Sequence, residues 1–196
     1  MRKNMTLAAI ASLVMASHRG SASEVVTFNF DNLLEIYLAY HGFVTASVFH
    51  EQNWAGYADV SVYHPHGMIP FSLEHDHSET VVFDQESYMA VVGKEGNLWR
   101  QLVLTLMRRR TCLFIGLSGK DINLDSILSD TRSVHASHSD NSAFWGVTFS
   151  TTDDPVMSGQ WESRGVFYKV IKDYEKSLPE FLFGVCQDAA RSASLV

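Results

Sequence analysis

"EVVTFNFDNLLEIYL", residues 24–38, decides how this chain is read. Its opening is short, apolar and partly β-branched, the composition of a strand covered by neighbours. From about Asp31 to His41 the apolar residues fall into a helical spacing. Asn29 and Asp31, an amide and a carboxylate, stand where the strand over 24–30 gives way to that helix.

The same alternation extends in both directions. A helix over about 4–17 precedes the Gly/Ser-rich "SHRGSAS". Strand patterns follow at "ADVSVYHPHG", which ends in a Pro-Gly loop, and at "TVVFD". Helices are expected near 85–92 and 97–109, the second with Leu98, Leu102 and Leu106 on one face. "TCLFIGL", residues 111–117, is a continuous apolar run suited to a buried parallel strand. A helix near 121–130, a Ser/His-rich polar stretch at 133–142, the strands "AFWGVTFS" and "VFYKVIK", and a last helix with Pro179 in its first turn complete the chain. Strands alternating with helices give βαβ units, hence an α/β fold with a mostly parallel sheet and helices on both faces. In such sheets ligands bind beyond the carboxyl ends of the strands.

Composition narrows the function. The 196 residues are the size of one domain, and 46% of them are apolar, enough for a sizeable core. A formal net charge of −7 argues against a general nucleic-acid surface. The densest basic run, Arg108-Arg109-Arg110, closes a helical pattern, where cations suit the helix dipole. Cys112 and Cys186 are the only cysteines, so a four-cysteine zinc site is excluded, and Cys112 reads as a core residue. His64, His66, His75 and His77 are among nine histidines, but His75-Asp76-His77 lies in a polar loop and no metal is expected. The N-terminal "MRKNMTLAAIASLVMAS" has the shape of a secretory signal and equally of an amphipathic helix with Leu7, Ile10, Ala11 and Val14 on one face. Nothing after it is long and apolar enough to span a bilayer.

Three strand ends carry polar groups: Thr27-Phe28-Asn29-Phe30-Asp31, His64-Pro65-His66-Gly67, and the "FIGLSGKDINLDSIL" segment with Gly116, Ser118 and Asp121. Each has a plain explanation. Asp31 suits a helix N-cap with Glu35 one turn on, Asn29 suits a bond to its own loop, His66 suits a turn, and Gly116-x-Ser118 suits a tight bend. Taken together, an amide, an imidazole and a Gly-x-Ser turn at successive strand ends describe a crevice for a phosphate-bearing ligand with an acid/base histidine.

Thr27-x-Asn29-x-Asp31 resembles the T-Q-N-x-D motif of sirtuins. "TFNFDNLLE" is more similar still to the T-x-N-[FY]-D-x-L-[LI]-E form in the sirtuin-like domains of bacterial antiphage defence proteins. His66-Gly67 matches the family's His-Gly, and "LFIGLSGKDINLDSIL" resembles its F-[IL]-G-x-S-x-x-D-x-x-[IL] segment. Order and spacing agree over roughly residues 5–185. The resemblance implies one Rossmann-like, doubly wound domain over 1–196 that binds NAD as its substrate and hydrolyses the nicotinamide–ribose bond in antiphage defence. It gives catalytic roles to Asn29 and His66. Asn29, Asp31, Gly116, Ser118 and Asp121 become the residues that hold the nucleotide, with Asp31 at the nicotinamide ribose and Gly116 and Ser118 at the phosphates or adenosine ribose. Phe28 stands where sirtuins carry Gln. The zinc module of the deacylating members is absent, which speaks against deacylation. The Gly-rich G-A-G-x-S opening is not found either, so the resemblance implies a domain incomplete at its N-terminus, a cradle supplied by a partner, or a degenerate phosphate site. An uncovered sheet edge of that kind favours a homo-oligomer or a partner protein. Because NAD is intracellular, a cytoplasmic location and the helix reading of the N-terminus go with this assignment. Two other readings stand beside it: a non-catalytic NAD- or ADP-ribose-binding or assembly module of a larger defence complex, and an unrelated secreted α/β protein.

Overall fold

The computed structural model describes residues 4–16, 22, 24–50, 57–71, 81, 97–117, 122–136 and 144–193. They belong to two units, one formed by Met1–Tyr88 with Asp173–Val196 and the other by Met89–Lys172. Each is described by itself.

In the first unit, helix α1 (Met5–Met15) begins where the Asn4 side chain accepts the Leu7 amide. Strand β1 (Glu24–Val26), helix α2 (Leu33–Tyr40), and strands β2 (Thr45–Val48) and β3 (Val60–Tyr63) follow. The sheet is parallel in the order β1-β3-β2, so β3 occupies the middle place that the β1–α2–β2 crossover leaves open. Ala11 and Val14 of α1, Leu38 of α2, and Val60 and Val62 of β3 form the core, with Val25, Leu34, Tyr37 and Phe43 packed around it. The N-terminal segment is therefore built as a core helix, and Thr6 Oγ1 donates to the Tyr174 carbonyl at 2.6 Å.

In the second unit, helix α3 (Leu98–Arg109) is capped by Asn97 and carries Arg108 and Arg109 in its last turn, as the sequence suggests. Strand β4 (Cys112–Phe114), helix α4 (Ile122–Ala136), strand β5 (Gly146–Ser150), helix α5 (Pro155–Ser163) and strand β6 (Val166–Val170) then make a consecutive parallel βαβαβ run in the order β4-β5-β6. Phe114 packs against Trp145 and Trp161, with ring centroids 5.7 and 5.6 Å away. Buried Arg100 joins α3 to α4 through Ser126 and Asp130. The last helix, α6 (Ser177–Ala193), belongs to the first unit and packs on α1.

The α/β, Rossmann-like class expected from the sequence is the one observed. Local limits differ. β1 stops at Val26 because the Thr27 hydroxyl accepts the Asn29 amide and turns the chain out of the ladder. Helix α4 runs on to Ala136 although the sequence turns polar: Leu124, Ile127, Leu128 and Thr131 bury one face, and the buried Thr131 hydroxyl is satisfied by the Ile127 carbonyl. Strand β2 and helix α5 were not expected. The "TVVFD" strand (apart from Val81), the helix near 85–92 and His75-Asp76-His77 lie outside the described residues. Among the described residues no helix is long and apolar enough to cross a membrane.

Candidate functional site

Parallel pairing puts the carboxyl ends of β1 and β3 at the same edge of the sheet. The two loops that leave there run side by side. Thr27 donates its amide to Tyr63 O at 2.9 Å, and Ile69 donates to Phe30 O at 2.7 Å. The segment carrying Asn29 and the segment carrying His66 thus form one rim, because backbone hydrogen bonds join them at both ends.

Within that rim Asn29 is exposed and His66 is half-buried. The His66 imidazole rests against Phe28, with ring centroids 4.9 Å apart, and stands 6.4 Å from Phe30. Phe28, the departure from the sirtuin pattern, therefore serves as a wall for the histidine. Gly67 follows with φ 83°, a left-handed conformation that costs a residue with a Cβ, and its amide closes the turn onto His64 O at 3.0 Å. Asp31 is exposed and its Oδ1 accepts the Leu33 amide at 3.2 Å. The N-cap position itself falls to Asn32, whose side-chain oxygen instead accepts the Phe71 amide at 3.1 Å. Both acidic and amide side chains thus order the start of α2 and its contact with the β3 loop.

Behind the rim lies a cluster that sequence reasoning missed. His64 is fully buried, with Nε2 2.7 Å from Glu35 Oε1 and Nδ1 3.3 Å from the Asn29 carbonyl. Ser47 donates to the same Glu35 oxygen at 3.0 Å. Glu35 reads in sequence as a capping partner for Asp31, whereas the structure buries it to 5% exposure. The available signal was a lone carboxylate inside the apolar "LLEIYL", one turn after Asp31.

The second unit supplies its own strand end. Gly116 follows β4 with φ 74°, and a Cβ there would meet nothing within 4 Å, so the backbone conformation alone requires glycine. Ser118 and Asp121 lie outside the described residues. Cys112, on the same strand, is half-buried, and burial pushes its thiol up to about 11 from 9.0. Among the described residues no group of three or more His, Cys, Asp or Glu side chains is placed to hold a metal ion.

A parallel α/β sheet with an amide and an imidazole at neighbouring carboxyl ends has its polar groups where α/β proteins place their ligands. A family model described as the SIR2-like domain matches residues 23–169, most of the chain, and the chain belongs to that family. No curated protein matches it. The match agrees with the resemblance carried by "TFNFDNLLE" and His66-Gly67, and membership points to an NAD-related function.

Proposed function

We propose that the chain hydrolyses NAD at its nicotinamide–ribose bond and does so in antiphage defence. The observation that supports this most is the shared rim: an exposed Asn29 and a half-buried His66 on loops hydrogen-bonded side by side, in a member of the SIR2-like family. In this reading the bond between ribose C1′ and the pyridinium nitrogen breaks, and nicotinamide leaves with the bonding pair. Water adds to C1′, and its proton passes to the His66 imidazole, giving ADP-ribose, nicotinamide and one proton. Positive charge moves from the pyridinium ring to the ribose as the bond breaks, so an oriented amide dipole from Asn29 and a carboxylate from Asp31 stabilise the developing oxocarbenium. A neutral imidazole has the proton affinity suited to this near neutral pH.

On the sequence resemblance alone, Gly116 and Ser118 are proposed as contacts to the phosphates or adenosine ribose, Asp121 as a further nucleotide-binding residue, and residues 1–196 as a single domain. A cytoplasmic location, and association with a second copy or a partner protein, accompany the proposal. One observation favours a second reading, the non-catalytic NAD- or ADP-ribose-binding module: His66 Nε2 is buried, so that nitrogen does not meet bulk water as the protein stands.

Nicotinamide release from NAD by the purified chain, followed chromatographically, tests the proposal. Wild type is expected to turn over, and Asn29→Ala and His66→Ala each to lose about 100-fold or more. ADP-ribose binding without any nicotinamide release would select the binding module instead.

A further inference from the structure

The buried His64–Glu35–Ser47 cluster has a geometry that stability alone does not explain. An imidazole and a carboxyl group removed from water cost desolvation that a packed apolar pair of similar volume avoids. Here they join four segments: the end of β3, helix α2, strand β2 and the loop bearing Asn29. The Asn29 carbonyl can only accept, so its contact with His64 is made by a proton on Nδ1. Nε2 and the Glu35 carboxyl then share the second proton across 2.7 Å. Holding both ring nitrogens fixes the orientation of the ring. The ring in turn holds the rigid peptide plane that begins at Asn29, and with it the direction in which the Asn29 side chain leaves the backbone.

We propose that His64, oriented by Glu35 and Ser47, is a positioning residue that clamps the Asn29 peptide so that the Asn29 amide is preset for its ligand. For its effect on catalysis this rests on the NAD-hydrolysis reading. His64 acts only through Asn29 and touches no substrate.

The double variant His64→Phe/Glu35→Leu separates positioning from folding. Replacing both buried ionisable groups by apolar side chains leaves neither of them orphaned. The two groups that lose a partner, Ser47 and the Asn29 carbonyl, belong to half-buried and exposed residues, so the fold is retained while the clamp is lost. Amide hydrogen exchange at residues 28–31 is expected to quicken about tenfold while the amides of β3 and α2 keep their protection. The kcat for nicotinamide release is expected to fall roughly 10- to 100-fold with KM within about twofold. Glu35→Gln is the rescue: its carboxamide N–H donates to Nε2 of a ring protonated on Nδ1, so loop exchange and kcat stay close to wild type. Ser47→Ala loosens the same carboxyl group and shifts both readouts in the same direction by less, which keeps the test open should the double variant fail to fold. Wild-type exchange at 28–31 in the variants that lose these bonds would overturn the clamp. If wild type itself releases no nicotinamide, the hydrolysis reading falls, and the exchange rates still decide the positioning claim.

Discussion

Gly146 opens β5 between Cys112 of β4 and Val166 of β6, and replacing it by alanine tests that register directly. An added Cβ would lie 2.8 Å from Phe114 Cε2 and 3.2 Å from the Cys112 carbonyl oxygen. Comfortable carbon contacts begin near about 3.5 Å. Phe114 has little room to yield, because its ring is 4% exposed and lies between Trp145 and Trp161. The carbonyl is backbone and is fixed by the ladder. Overpacking of this kind costs about 1–3 kcal/mol. At roughly 2–4 °C per kcal/mol for a chain of this size, the melting temperature should drop by about 2–12 °C. Gly159→Ala is the matched control. It lies within helix α5, its Cβ would meet nothing within 4 Å, and relief of the glycine penalty should stabilise by about 0.5–1 kcal/mol. Thermal unfolding followed by circular dichroism reads both. A Gly146→Ala protein that melts with wild type would mean that β4 and β5 pair differently, and Gly116 would lose its place at the carboxyl end of β4.

Gly67→Ala forces a Cβ into φ 83° and should cost about 1–2 kcal/mol in thermal unfolding, and nicotinamide release should fall with it because the same turn carries His66; unchanged stability would contradict the left-handed turn. Cys112, with its thiol raised to about 11, holds only about one thiolate in a thousand at pH 8, so iodoacetamide should modify it about 100-fold more slowly in the native protein than in urea. Asp173 accepts the Lys176 and Ser177 amides, which hold its carboxyl below the ordinary 3.8. A depressed carboxyl contributes stability that is present above its unfolded value and lost as pH falls through its folded one. Asp173→Asn should therefore flatten the acid limb of the melting-temperature profile below pH 3.8, and an unchanged slope would remove the carboxylate from that role.

Elements with strong local signals were legible in the sequence. Helices α1 and α3 and strands β4 and β6 stand where their apolar patterns placed them. Their buried faces were read less well: α3 buries Trp99, Val103, Leu104 and Met107 and leaves Leu98 48% exposed, and Leu113 of β4 is 42% exposed although its run reads as a buried strand. Strand β2, "TASV", left no such mark: it is short, only Val48 of it is fully buried, and its pairing with β3 is a tertiary fact. Helix α5 was hidden for the opposite reason. Only Trp161 of it is buried, and its start rests on Asp154 accepting the Val156 and Met157 amides ahead of Pro155. At the candidate site, Asn29, Asp31 and His66 were visible because strand ends in parallel sheets meet at one edge. The His64–Glu35 contact was not visible, since nothing local says that a helical carboxylate and a strand-end histidine 29 residues apart will face each other.

NAD hydrolysis at this rim requires Asn29 and His66 to serve one ligand. Titrating the isotopically labelled protein with ADP-ribose and following backbone amide shifts measures this without requiring turnover. Amides at residues 27–31 and at 64, 66 and 67 are expected to move together along a single saturation curve. Shifts confined to one of the two segments, or saturating at separate concentrations, would contradict it.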